Sequence, residues 1–212
     1  MVFAKLVSRG AKSGYTLVEV LVVVIIMGVL STMGVASLQR AVANARVKDA
    51  AINTAAFIER VANLSSQRNE KLCLGVADCH DDGLCKTLIV VRADPENVNK
   101  DCSSYKPGNV DEISLDAPSG FVRNASGCPT DNMPNWLSPS STVNPNIMFD
   151  PHPHRIIGLS AMPIKGLVCI RYGGDDIYGA VRKDKNKNKV VPMWKVGNDF
   201  TQNGNWSNWT EL

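Results

Sequence analysis

The chain turns apolar early and stays apolar for an unusual length. From Tyr15 to Ala36 run 22 residues that carry a single charge, Glu19. At ~1.5 Å rise per residue, a helix of that length crosses a ~30 Å hydrocarbon layer. The run is apolar on every face, unlike the one-sided stripe of a surface helix. From Ser37 to Gln67 the pattern changes. This stretch is rich in alanine, free of Pro and Gly, and repeats Phe57, Ile58, Val61 and Leu64 at helical spacing. Arg46, Lys48, Asp49, Glu59 and Arg60 fall on the wetter faces. The pattern predicts one helix of about 50 residues, with its first half in lipid and its later stripe packed on a globular head.

Beyond Leu72-Cys73-Leu74 the period shortens. β-like runs follow at Leu88–Arg92, Glu112–Leu115, Asn146–Phe149, Arg155–Ile157, Leu167–Tyr172, Ile177–Arg182 and Lys189–Val191. Turn residues bound most of them, which predicts an antiparallel sheet or two small sheets. The fold class is therefore α+β, a long N-terminal helix packed on a small antiparallel β head. The stretch Cys128–Pro153 holds six prolines and few periodic apolar positions. It reads as a long exposed loop.

Glu19 changes the picture of the apolar run. A carboxylate inside a membrane span is costly and marks a functional site by default. A plain signal anchor has no use for it. A cleaved secretory peptide would be shorter and would end on an Ala-x-Ala-like site, which does not follow here. The run Lys12-Ser13-Gly14-Tyr15-Thr16-Leu17-Val18-Glu19-Val20 resembles the class III signal of type IV prepilins and pseudopilins. That resemblance implies a basic leader, Met1–Gly14, with Lys5, Arg9 and Lys12. It implies a prepilin peptidase that cuts after Gly14 and methylates the new amine of Tyr15. Glu19, fifth in the mature chain, would then pair with the terminal amine of a neighbouring subunit. The implied partners are other pilin or pseudopilin subunits, the peptidase and the inner-membrane assembly platform. The implied organisation is leader 1–14, transmembrane helix 15–36, amphipathic extension 37–68 and periplasmic head 69–212. The protein would sit in the bacterial inner membrane by one span and then move into a filament. Two positions depart from the family pattern. Tyr15 stands where Phe is usual, and Ala36 about where many pilins have Pro. Gly28 falls at a frequent helix glycine, and Gly28 and Gly34 weaken helix propensity there.

A second resemblance covers the head. Arg68–Leu74, Ile147–Pro151 and the Ile177–Arg182 run with its following lysines are similar to H-type pseudopilins and FimT-like minor pilins. The implied function is that of a minor pilin or pseudopilin in a type IV pilus or type II secretion pseudopilus.

Net charge is +3, so the chain as a whole is not a strong polyanion binder. Losing the leader brings it close to neutral. Some 140 residues remain past the helix, roughly enough for one domain with its own core. Six cysteines, Cys73, Cys79, Cys85, Cys102, Cys128 and Cys169, all lie beyond the apolar run. An even count in an exported domain reads as disulfides, with zinc as the rival. The Cys73-x5-Cys79-x5-Cys85 spacing does not match paired Cys-x2-Cys knuckles.

Arg182, Lys183, Lys185, Lys187 and Lys189, with Lys195 nearby, form the densest basic stretch. Three readings compete: a solvated hairpin tip, a contact for DNA phosphates or an acidic partner, and a calcium loop. The calcium reading lacks the turn glycine and the bidentate Glu, where Lys189 and Lys195 stand. Trp194, Trp206 and Trp209 either plug the edge of the head core or form a stacking surface. His80, Asp81, Asp82, His152 and His154 show no diagnostic metal spacing. No nucleophile elbow, phosphate loop or paired-carboxylate pattern is present. The sequence predicts a structural subunit with no metal and no cofactor. The alternative is a minor pilin that binds DNA during uptake in natural transformation.

Overall fold

A computed structural model describes residues 15–94, 96, 102, 105–122, 147–151, 155–158, 166–173, 176–183, 190–196 and 209–212. One helix, α1 (Leu17–Arg68), spans 52 residues without a break. An antiparallel β domain follows it, so the architecture is α+β and pilin-like. Two compact units divide the chain, Met1–Ala41 and Val42–Leu212.

In the first unit the described residues from Leu17 on are helix. Its apolar side chains are exposed on every face, from Leu17 through Ile25 to Leu30. The helix passes through Gly28 and Gly34 without interruption. Ser31 and Thr32 donate their hydroxyls back to the carbonyls of Met27 and Val29, at 2.7 and 2.8 Å. That is how a helix hides hydroxyls in apolar surroundings.

In the second unit the rest of α1 packs on a sheet. Its strands are β1 (Leu72–Cys79), β2 (Leu84–Ala93), β3 (Tyr105–Ser114), β4 (Ser119–Val122), β5 (Ile147–Asp150), β6 (Arg155–Gly158), β7 (Gly166–Tyr172), β8 (Ile177–Lys183), β9 (Val190–Val196) and β10 (Thr210–Glu211). Among the described residues they join one sheet in the order β10-β9-β8-β7-β4-β2-β1-β5-β6, with β3 also on β2. Every pairing is antiparallel. The sheet is therefore single and larger than the run of short strands predicts.

The helix closes with a turn its sequence specifies. Asn69 takes a left-handed backbone at φ 52°. The N–H of Glu70 reaches the carbonyl of Ser65 at 3.2 Å, and that of Asn69 reaches Ser66 at 3.4 Å. These two bonds satisfy carbonyls that a helix end leaves open. The hydroxyl of Ser65 lies 3.1 Å from the carbonyl of Phe149, which ties the helix end to β5.

The core lies between helix and sheet. Ala51, Ile58 and Val61 pack with Leu72, Leu74, Val76, Leu88, Val90, Phe121, Phe149, Val168, Ile170 and Val181, all buried, and Val47 packs with Ala43 and Ile177. Phe57, Ile58 and Val61 are buried as their spacing predicts, and Leu64 is half-buried. The lower helix uses small residues instead, Ala43, Ala50, Ala51 and Ala55. Small residues let helix and sheet backbones approach, and Gly179 on β8 completes the fit. A Cβ there would lie 3.0 Å from Val47 Cγ1 and 3.1 Å from the Val47 carbonyl oxygen.

Strand residues alternate, so each strand has a second face. On that outer face Cys73, Ile89, Val91 and Cys102 form one cluster. Val122, Cys169, Tyr178, Ala180, Val191, Met193 and Trp209 form another. Both faces being apolar explains the poor period-2 signal of β1, β2 and β8.

Replacing Gly179 by Val should overpack the contact with Val47 and cost ~1–3 kcal/mol. Thermal melting of the purified chain should show a lower Tm. An unchanged Tm would mean that helix and sheet are not held this closely.

Candidate functional site

The start of α1 is built by its own sequence. Thr16 precedes the first helical residue and Glu19 is the third residue of the helix. The Glu19 carboxylate (Oε2) accepts from the Thr16 N–H at 2.9 Å and lies 2.9 Å from the Thr16 hydroxyl. In return the Glu19 N–H donates to Thr16 Oγ1 at 3.3 Å. This is a reciprocal capping box, and Thr-x-x-Glu before an apolar run is its sequence signature. The pattern was readable at Thr16-Leu17-Val18-Glu19 but is not needed to single out Glu19. It gives the carboxylate two local partners inside its own chain. It also places the negative charge on the helix N-terminus, where the macrodipole favours it. Tyr15, next to the cap, is exposed.

Residues 9–35 match the model of the prokaryotic N-terminal methylation motif. The motif supports a type IV pilin-like family. It points to a structural subunit, and with the long apolar helix it is consistent with a membrane-anchored pilin. No curated protein and no solved structure matches the chain. The motif ends at Val35 and so does not reach the head. Gly14 lies within the motif and outside the described residues.

In the pilin-like head the cysteines are placed by strand alternation. Cys73 on β1 bonds to Cys102, and Cys79 bonds to Cys85 across the β1–β2 hairpin, where the two are register partners. Cys169 on β7 is disulfide-bonded too. Cys128 lies outside the described residues. Cys73 and Cys169 both point away from the helix, into the outer clusters. The helix covers one face of the sheet. The Cys73–Cys102 bridge holds part of the chain between β2 and β3 over the other, and Cys102 Sγ sits 3.7 Å from the Ile147 carbonyl.

The basic stretch gains little from the strands that frame it. Lys195 is buried, at 3% exposure, so it adds no surface charge. Arg182 pairs with Glu211 on β10 at 3.6 Å. Lys183 ends β8, opposite Val190. Lys185, Lys187 and Lys189 lie outside the described residues. The tryptophans divide. Trp209 is buried in an outer cluster with Tyr178 and Met193, and burial raises the Tyr178 hydroxyl pKa while Arg171 opposes the rise. Trp194 is half-buried, with Lys48 Nζ 4.0 Å above its ring. Trp206 lies outside the described residues. Neither described tryptophan offers an open stacking surface.

His80, Asp81 and Asp82 make the β1–β2 turn. Leu84 N–H donates to Asp82 Oδ1 at 3.0 Å, and the His80 N–H donates to the Leu84 carbonyl at 2.8 Å. They serve the hairpin. Among the described residues no group of three His, Cys, Asp or Glu could hold a metal ion. His152 and His154 are outside the described residues.

The Cys73–Cys102 bridge spans 29 residues of sequence, and a loop of that size is worth ~3–4 kcal/mol in the chain-entropy account. The double change Cys73→Ser/Cys102→Ser should lower the Tm while Cys79–Cys85 persists in a non-reducing peptide map. Free, alkylatable Cys73 and Cys102 in the native wild-type protein would contradict the pairing.

Proposed function

We propose that the chain is a minor pilin or pseudopilin, a structural subunit of a type IV pilus or type II secretion pseudopilus. One observation carries this reading. A lone carboxylate, Glu19, stands near the start of an exposed apolar helix, inside a stretch that matches the prepilin methylation motif. The cap with Thr16 favours the charge locally, but a carboxylate in an apolar span is costly to bury, so it serves assembly as well as the helix end.

On this proposal assembly runs in three steps. The precursor waits in the inner membrane, anchored by residues 15–36, with the head from residue 69 in the periplasm. The prepilin peptidase cuts between Gly14 and Tyr15 and methylates the new amine. Until a neighbour arrives, the capping box with Thr16 supplies the Glu19 carboxylate with donors that lipid cannot provide. In the filament a neighbouring subunit's amine approaches. Opposite charges in a low-dielectric bundle attract strongly, and pairing offsets much of the cost of burying either. Glu19 therefore both admits the subunit and fixes its register. The packing of the later part of α1 on an antiparallel sheet supports the reading. Membership of the H-type group belongs to this proposal too, on Arg68–Leu74, Ile147–Pro151 and Ile177–Arg182.

Two variants test the reading. Gly14→Val puts bulk at the scissile position, and mass spectrometry should find the uncut precursor in the membrane. A chain starting at Tyr15 in that variant would contradict peptidase recognition. Glu19→Ala should insert and be cut normally yet enter filaments poorly. Sheared filaments holding equal amounts of variant and wild type would remove the pairing role.

A further inference from the structure

Two bridges have both ends among the described residues, and they differ in what governs thiol exchange. Cys73–Cys102 joins two buried residues, at 0% and 1% exposure, across 29 residues of sequence. Cys79–Cys85 joins register partners near the tip of the β1–β2 hairpin, across a separation of only 6. Cys85 is buried, but Cys79 is half-exposed, so Cys79 is the end a reagent reaches first. A short loop gains less from a cross-link than a long one, and the hairpin already brings these two residues together. An accessible bridge is also the more readily exchanged.

The backbone beside this bridge is strained. Asp78, directly before Cys79, takes a left-handed conformation at φ 54° inside β1. That region disfavours a residue with a Cβ, although Asp tolerates it better than most. It also breaks the alternation of the strand. Ala77 packs on the outer cluster, yet Cys79, two residues on, packs on the helix-side core. Across the hairpin Leu88 and Cys85, three residues apart, both belong to that core. The bridge therefore sits where both strands have turned over. The Thr87 hydroxyl holds the turned strand by donating to Asp78 Oδ2 at 2.9 Å. Beyond it the tip is closed by the His80 N–H on the Leu84 carbonyl and the Gly83 N–H on the His80 carbonyl, at 2.8 and 3.1 Å.

We propose that Cys79–Cys85 is a thiol–disulfide exchange site that latches the hairpin tip, and that its partner is a dithiol oxidoreductase with a basic face. The inference goes beyond the filament reading and does not depend on it. A thiolate of the partner attacks Cys79 Sγ, the Cys79–Cys85 bond breaks, and Cys85 leaves as a thiolate that takes a proton from water. The partner's second thiolate then attacks the mixed disulfide and frees Cys79, which is protonated in turn. Two electrons pass to the chain, and the partner ends as its own disulfide. Opening the bridge lets Asp78 leave its left-handed backbone, while Cys73–Cys102 keeps the other end of β1 in place. The basic face follows from the approach. Asp78, Asp81 and Asp82 are exposed around Cys79 and outnumber Lys86, so the tip repels an anionic thiol.

The test uses the purified full chain in a non-ionic detergent. Dithiothreitol is titrated against the native protein, thiols are trapped with N-ethylmaleimide, and a peptide map reads each bridge. Cys79 and Cys85 should be labelled at a reductant concentration about tenfold or more below the one that labels Cys73 and Cys102. Hydrogen exchange at the His80 and Gly83 amides should then quicken, while β1 from Leu72 to Val76 stays protected. At low salt, cationic cysteamine should open the bridge on the order of tenfold faster than anionic mercaptoethanesulfonate. Asp81→Asn/Asp82→Asn should close most of that gap, and Asn at 82 can still accept the Leu84 N–H. Reduction of Cys79–Cys85 together with or after Cys73–Cys102 overturns the exchange site. Early reduction with unchanged exchange at the tip overturns the latch. Equal rates with the two thiols overturn the basic-faced partner.

Discussion

One unbroken helix has to satisfy two surroundings, and the rest of the structure follows from that constraint. A 52-residue helix cannot change its backbone geometry to suit its neighbours, so only its side chains can differ along its length. From Leu17 to Leu30 they are apolar on every face, Glu19 apart, and exposed. After Val42 one face is buried under a sheet and the other carries charge and amide groups. No proline stands at the switch, and the helix ends only at Arg68. The capping box at Thr16 and Glu19 and the left-handed turn at Asn69 are its two chemical ends.

The head answers the same constraint. A sheet of this width needs both faces covered, and one helix covers only one. Alanines at 43, 50, 51 and 55 and Gly179 bring the helix close on that face. On the other face the cysteines take over. Strand alternation turns Cys73 and Cys169 outward, both of them disulfide-bonded, and Cys73 fixes Cys102 on that face. Charge completes the assembly. Arg60 joins the helix to β3, Arg92 joins Glu70 before β1, and Arg182 joins β8 to β10.

Much of this was legible in the residues, for identifiable reasons. The helix was plain because its periodic stripe, Phe57-Ile58-Val61, is long and unbroken by Pro or Gly. β5 to β8 were plain because turn residues bracket them. The full β1–β2 hairpin was not, since Val76 to Leu84 include Asp78, His80, Asp81, Asp82 and Gly83, which read as loop. β3 was hidden in its first half by Pro107 and Gly108, and β9 by Pro192. β4 is only Ser119–Val122, too short to show a period. At the candidate site, Glu19 was visible as a charge out of place, whereas its cap with Thr16 emerged only from the structure, although Thr-x-x-Glu carries the signature. The pairing of the cysteines was not legible, because spacing alone leaves connectivity open. Nor was the burial of Lys195, since a lone lysine beside the other lysines of 183–189 reads as surface charge until its strand is placed.

The central claim is that this helix enters a filament as a processed, pilin-type subunit with its cap at the new N-terminus. The most direct measurement is mass spectrometry of the wild-type N-terminal peptide from sheared, purified filaments. The account predicts a peptide that begins at Tyr15, bears one methyl group on its amine and contains Glu19 unmodified. A filament-associated chain that retains residues 1–14, or filaments that contain none of this chain, would contradict it.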